Sequence, residues 1–220
     1  MSKKVLMIVT NHDKINEETP TGIWLSEFAE AYNEFKQHGF DVTVASPSGG
    51  QSPVDPNSVS DDEPQENLDA KPMLENTTPI SSLNAEDFDA VFLPGGHGTM
   101  FDFPDNEKLQ SMLRETYESK KPLAAVCHGP AALVNVKLSD GQYIVQGKSV
   151  NAFTDAEEAD TTLDQHMPFL LESKLRERGA HFLSAPNWSE HVETDGNLIT
   201  GQNPQSTVAV AKEFVRTLQK

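Results

Sequence analysis

The chain has 220 residues and a formal charge of −17, with 34 acidic against 17 basic side chains. Such a balance opposes nonspecific attachment to nucleic acid or to an anionic membrane surface. The length suits one large α/β domain over residues 1–220, and the lone cysteine, Cys127, excludes an internal disulfide and fits a cytoplasmic location.

Lys4 to Thr10 (KVLMIVT) is apolar and β-branched, which reads as a buried parallel strand. The run is too short for a membrane span, and polar residues follow it where an export signal would have a small-residue cleavage site. Asn11 to Thr21 reads as irregular. From Gly22 to His38, Trp24, Leu25, Phe28, Tyr32 and Phe35 recur at helical spacing, with Gly39 as the cap. Asp41 to Ser46 (DVTVAS) is a second strand, so the opening is βαβ and predicts a mostly parallel sheet with helices on both faces. Residues 47–82 are rich in Pro, Ser, Asp and Glu, with little periodicity. They read either as a disordered acidic insert or as a segment folded over the surface near the site, and the unusual length favours the second. Strands follow at Phe88 to Pro94 and Leu123 to Val126, separated by a helix over Asn106 to Ser119 that turns Leu109, Met112, Leu113 and Thr116 to one side. Short strands at Tyr143 to Val145 and Ser149 to Ala152, a helix over Met167 to Arg178, and a strand at His181 to Leu183 come next. Val192–Glu193 and Leu198 to Gly201 flank a Thr-Asp-Gly-Asn turn, and a last helix over Pro204 to Gln219 faces inward with Val208, Ala211, Phe214, Val215 and Leu218.

Cys127 stands where a strand hands over to a helix-compatible stretch, with Ala125 and Gly129 two places away and Pro130 behind. Small neighbours at that spacing suit a sharp nucleophile elbow. A buried core cysteine is the bland alternative. At the start of a helix the thiol is expected to have a pKa below the free value of about 8.5. His128 follows directly, and an imidazole beside a thiol is a general base that needs a third group to orient it. The acidic run with Asp155, Glu157 and Glu158 can supply that group, or can be only a solvated helix start. Gly95-Gly96-His97-Gly98 ends the Phe88 strand, where backbone N–H groups can approach a ligand or a developing oxyanion. It is no dinucleotide fingerprint, because Phe101 stands where the third glycine belongs. Glu27 falls beside Phe28 on the first helix, either exposed or turned inward. No metal-binding spacing occurs among His12, His38, His166, His181 and His191, so no metal is expected.

Taken together, KVLMIVT, TGIWLSEFAEAY, DVTVASPSGG with SPVDP, DAVFLPGGHGTM, AAVCHGPAAL, GKSVNAFTDAEE and TGQNPQST resemble the DJ-1/PfpI superfamily, and most closely its heat-shock-protein-31-like class. The resemblance implies a flavodoxin-like three-layer sandwich, usually dimeric. It implies Cys127 as nucleophile, His128 as acid/base, Glu158 as the orienting carboxylate and Glu27 as a protonated carboxyl beside the thiol. Gly95, Gly96, His97 and Gly129 are expected to bind substrate or an oxyanion. The implied activity is a cofactor-independent, glutathione-independent glyoxalase acting on a small 2-oxoaldehyde, with unfolded or glycated proteins as further clients. A cysteine peptidase or amidase, a holdase chaperone and a thiol redox sensor are the rival readings. Ala152 stands where a glycine often precedes the Phe of the FTDAEE stretch, and His191-Val192-Glu193 superficially matches the H-x-E of the related amidotransferases.

Overall fold

A computed structural model describes residues 2–220. The elements are β1 (Lys4–Ile8), β2 (Lys14–Asn16), β3 (Thr19–Pro20), α1 (Leu25–Gln37), β4 (Asp41–Ser46), α2 (Gln65–Ala70), β5 (Thr78–Pro79), β6 (Ala90–Leu93), α3 (Thr99–Asp102), α4 (Glu107–Glu118) and β7 (Leu123–Val126). They continue with β8 (Ser149–Val150), α5 (Asp155–Thr161), α6 (Leu171–Glu177), β9 (His181–Phe182), β10 (Val192–Asp195), β11 (Leu198–Gly201) and α7 (Thr207–Leu218). The central sheet has seven strands in the order β10-β11-β7-β6-β1-β4-β5. Its pairings are parallel except for the hairpin β10–β11 at one edge.

Alternate side chains of the strands feed two separate cores, as expected of a sheet covered on both faces. Leu6, Ile8, Val91, Leu93, Leu123 and Ala125 point to the layer of α4 and α6. Val5, Met7, Ala90, Phe92, Ala124 and Val126 point to the layer of α1 and α7. The second core is centred on Phe35, Phe92 and Phe214, whose ring centroids lie 5.0 to 5.7 Å apart. The chain is therefore the three-layer α/β sandwich that the βαβ pattern implies. Parallel sheets of this kind bind ligands at the carboxyl ends of their strands, and here those ends carry Thr10, Pro94 and Cys127. Among the described residues no helix is long and apolar enough to cross a membrane.

Residues 47–82 form a folded cover made of short helical turns, α2 and the edge strand β5. Their backbone finds partners in the domain, which explains how so polar a segment is held. Ser52 Oγ donates to the Thr10 carbonyl at 2.6 Å, and the Ile23 N–H donates to Pro53 O at 2.8 Å. The Ser58 hydroxyl accepts the Leu25 N–H at 3.1 Å, and so caps α1 from a distance of 33 residues in sequence. This explains why α1 begins at Leu25: residues 22–24 are drawn out against residues 53–55, with Ile23 bridged to Val54.

Other departures from the sequence reading have local causes. Asn11 to Thr21 contains the small antiparallel pair β2–β3. Tyr143 to Val145 is a turn; only Tyr143 makes a single bridge, to Lys137. α6 starts at Leu171: Pro168 disfavours helical backbone at Met167, which is extended, and Leu170 is extended as well. On α7 the inward residue is Val210, while Val208 is 40% exposed.

Leu74 anchors the cover with 1% exposure. Leu74→Ala should therefore destabilise the whole domain by about 2 to 5 kcal/mol, measured by chemical denaturation. A change below about 0.5 kcal/mol would mean that the segment lies outside the cooperative core.

Candidate active site

At the end of β7 the chain turns sharply: Cys127 has a φ of +59°. Left-handed backbone costs a residue with a Cβ about 1–3 kcal/mol. Two hydrogen bonds hold it, one from the Cys127 N–H to Gly201 O and one from the Phe153 N–H to Cys127 O, each 2.9 Å. A five-residue 3-10 turn, Gly129–Leu133, follows in place of an α-helix. A Cβ on Gly129 would stand 2.2 Å from the Leu93 carbonyl oxygen. Gly129 thus lets the elbow pack on the end of β6, and it does not line the cavity beside Cys127. The expectation that it binds substrate is corrected accordingly.

The Gly95–Gly98 turn approaches the elbow from β6. Gly96 has a φ of +103°, and a Cβ there would meet Gly22 O at 2.2 Å, so only glycine fits between the turn and the start of α1. The Thr99 hydroxyl ties turn and elbow together through the Gly96 and His128 carbonyls, at 2.9 and 3.0 Å. The Gly95 N–H is not free for a substrate oxyanion, because it donates to Glu27 Oε2 at 2.6 Å. The N–H groups of Gly96 and His128, by contrast, enter no hydrogen bond among the described residues. Of the residues expected to bind an oxyanion, Gly95 is thus occupied, whereas the Gly96 N–H is open to an acceptor, as is that of His128 at the elbow.

Glu27 lies on the buried side of α1 with 0% exposure. Burial pushes its pKa up to about 8, against the lowering influence of the Cys127 thiol and the Gly95 N–H. The thiol is near enough to shift the carboxyl, yet Oε1 meets no partner in hydrogen-bond geometry. At neutral pH the carboxyl keeps its proton, so no anion faces the sulfur from α1.

Three further side chains complete the cluster. Cys127 Sγ lies 3.4 Å from His128 Nδ1, and His128 Nε2 lies 2.6 Å from Glu158 Oε2. The other oxygen of Glu158 lies 2.6 Å from His97 Nε2. His97 therefore enters by its side chain, its ring tilted against that of His128 with centroids 4.2 Å apart, and not as a backbone donor of the glycine turn. Burial raises the Glu158 pKa, but the His128 and His97 contacts outweigh it and hold the carboxyl well below the usual carboxylate range. Burial pushes the His128 pKa down, and the neighbouring His97 imidazole acts in the same direction. His128 is accordingly a neutral base at pH 7, with Nε2–H donating to Glu158 and the Nδ1 lone pair facing the thiol.

Glu157, one residue earlier, does different work. Its carboxylate accepts from Thr154 N–H and Oγ1, Trp188 N–H, Gln202 Nε2 and Asn203 Nδ2 at 2.8 to 3.1 Å. It caps α5 and pins the 188–203 region, away from the histidines.

The thiol does not have the lowered pKa expected from the sequence. Burial pushes the Cys127 thiol up, Glu27 adds to this once it ionises above neutral pH, and the charges of Glu157 and Glu158 add further. The short 3-10 turn that replaces the helix supplies no developed dipole to oppose them. An imidazole beside such a thiol can take its proton, and His128 Nδ1 is placed to do so.

Cys127 opens on a cavity of about 60 Å³ lined by Trp24, Gly96, His97, Phe153, Thr161 and Trp188 among others. A wider vestibule of about 320 Å³, walled by Ile15, Thr19, Pro20 and Leu163, shares Trp24, His97 and Thr161 with it. Trp188, with a φ of +64° and 40% exposure, roofs the inner cavity beside Phe153. No pattern in the sequence marks Trp188 or Thr161, which reach the site only through the fold. His191 and Glu193 pair with each other at 2.9 Å and line neither cavity. His97, His128 and Glu158 place one donor atom each within 4.8 Å of the others, the outline of a metal-ligand set. Each carboxylate oxygen, however, is bound to one imidazole nitrogen at 2.6 Å. Ligation would require both Nε2 atoms bare and turned to a common centre, so these residues form a hydrogen-bonded relay.

The model of the DJ-1/PfpI family matches residues 19–217. The chain is 31% identical to the glutathione-independent glyoxalase HSP31 of Saccharomyces cerevisiae, over 99% of this chain and 98% of the relative. It superposes on the crystal structure of glyoxalase III from Candida albicans with a TM-score of 0.86 and 26% identity, covering 98% and 97% of the two chains. The X-ray structure of the Rapid Encystment Protein 24 kDa of Francisella tularensis gives a TM-score of 0.94 at 38% identity, covering 98% and 99%.

A raised thiol pKa has a direct consequence for alkylation. The rate of Cys127 modification by iodoacetamide should keep climbing as pH rises above neutrality, because the thiolate fraction grows only there. A plateau already reached below pH of about 7 would show a resting thiolate and contradict the electrostatics of the cavity.

Proposed function

Since the chain belongs to the DJ-1/PfpI family, we propose that it is a glutathione-independent glyoxalase, converting methylglyoxal and water to D-lactate with Cys127 as nucleophile. The observation that carries this reading is the pairing of Cys127 and His128 with a buried, protonated Glu27 around a cavity of only about 60 Å³. A space of that size suits a three-carbon aldehyde.

The steps follow from the geometry. His128 Nδ1 takes the thiol proton while sulfur attacks the aldehyde carbon, and the carbonyl electron pair moves to oxygen. The free Gly96 and His128 N–H groups are the donors available to receive the charge on that oxygen, and each such donor is worth about 3 kcal/mol. Protonation of the oxygen gives a hemithioacetal. Loss of the proton on the attacked carbon, with protonation of the neighbouring oxygen, gives an enediol. Reprotonation at the neighbouring carbon, with loss of the proton on the oxygen of the attacked carbon, gives a thioester of lactate, which water cleaves. Glu27 enters with its proton in place and is near the sulfur; it can give that proton to the neighbouring carbonyl oxygen as it takes the one on the attacked carbon, then deliver the latter to the neighbouring carbon, without first repelling the nucleophile.

Incubation with methylglyoxal, without glutathione or added metal, should yield D-lactate, read by chirality-specific assay. Cys127→Ala should abolish it, and Glu158→Gln should leave partial activity by misorienting His128. Wild-type protein that forms no lactate would end the glyoxalase reading.

Glu27→Gln keeps the shape and a donor but cannot exchange a proton. Its turnover should fall at least about a hundredfold while the thiol still alkylates. Near-normal turnover would remove Glu27 from the mechanism.

A further inference from the structure

The reaction above uses one of the two imidazoles that Glu158 holds. The second, His97, is 6% exposed and is placed as firmly as the first, with Nε2 2.6 Å from Glu158 Oε1 and its ring against His128. Among the described residues its Nδ1 has no hydrogen-bond partner. An ionised carboxylate accepts only, so Nε2 carries the hydrogen in that bond and Nδ1 is left with a lone pair. The equivalent lone pair of His128 faces the thiol at 3.4 Å. That of His97 has no hydrogen-bond partner among the described residues. His97 also lines both the inner cavity with Cys127 and the vestibule through which solvent would arrive.

We propose that His97 is the general base of the hydrolytic step, taking a proton from the water that cleaves the Cys127 thioester. The inference rests on the glyoxalase reading and deepens it: chemistry before the thioester belongs to His128 and Glu27, and water activation belongs to His97. In the step itself, Nδ1 accepts a proton from water as the oxygen bonds to the thioester carbon, and the carbonyl electron pair moves to oxygen at the Gly96 and His128 N–H groups. When that pair returns, the carbon–sulfur bond breaks, its electrons go to sulfur, and the proton held by His97 passes to the thiolate. The product is the free acid, and the thiol is restored.

The test is His97→Gln. The amide nitrogen of Gln falls near the position of Nε2 and can still donate to Glu158, but the residue has no basic nitrogen. Methylglyoxal should still add to the enzyme and isomerise, giving a burst of one adduct per chain, while steady-state lactate release falls about a hundredfold or more. Mass spectrometry alone does not separate the thioester from the isomeric hemithioacetal, so hydroxylamine is added. The thioester yields lactohydroxamate, whereas the hemithioacetal reverts and yields the oxime of methylglyoxal. The pH profile of Cys127 alkylation should match wild type, because His128 and Glu158 keep their contacts. His97→Asn, which cannot reach Glu158 in the same way, should in addition shift that profile. Unchanged lactate release in His97→Gln would overturn the proposal. So would a loss of turnover with no lactohydroxamate and a shifted alkylation profile, which would make His97 a positioning residue for Glu158. Wild-type protein that makes no lactate would instead remove the glyoxalase reading and the inference with it.

Discussion

The site depends on one strained residue. Cys127 is forced into left-handed backbone between β7 and a 3-10 turn, and two neighbouring strands of structure hold it there through the Gly201 carbonyl and the Phe153 N–H. The turn lifts the thiol out of the sheet and brings the following residue round, so that adjacent side chains which would diverge in a strand converge within 3.4 Å. Everything nearby is arranged to permit that turn. Glycines at positions 96 and 129 give way where a Cβ would collide with the Gly22 and Leu93 carbonyls.

Electrostatics then follow from burial. Four carboxyl and imidazole groups, Glu27, Glu158, His97 and His128, are almost wholly shielded from water. A shielded group stays charged only where an opposite charge or several donors compensate for lost hydration. Glu158 has two imidazoles and remains ionised, whereas Glu27 has a single N–H and stays protonated. Glu157 shows the third solution, five donors from four residues around one buried carboxylate. Two adjacent glutamates on one helix thereby take different parts: one holds the two imidazoles, and the other fastens the Trp188 loop that roofs the cavity.

The acidic cover illustrates how a polar segment supports a site it does not line with chemistry. Asp55 accepts from the Thr21 hydroxyl at 2.8 Å and from the Asn57 N–H at 2.9 Å, and Ser58 caps α1. These bonds fix the first turn of α1, which carries Glu27. The carboxyl beside the thiol thus depends for its position on residues some 30 places further along the chain.

Much of this was legible in the amino-acid order. Runs such as KVLMIVT and DVTVAS determine strands by their own β-branched, apolar character, and the spacing of Leu109, Met112, Leu113 and Thr116 determines the buried face of α4. The small residues around Cys127 mark the elbow, since tight backbone needs them within two places. What the tertiary structure alone decided is where hydrogen bonds and buried charges end up. Gly95 looked like an oxyanion donor until Glu27 occupied its N–H, and His97 looked like part of a turn until its ring met Glu158, 61 residues away. The thiol looked acidic from its place before a helix, and it is not, because burial among carboxyl groups outweighs a turn too short to carry a dipole. Local backbone preference is written in neighbouring residues, but desolvation and pairing arise from groups that only folding brings together.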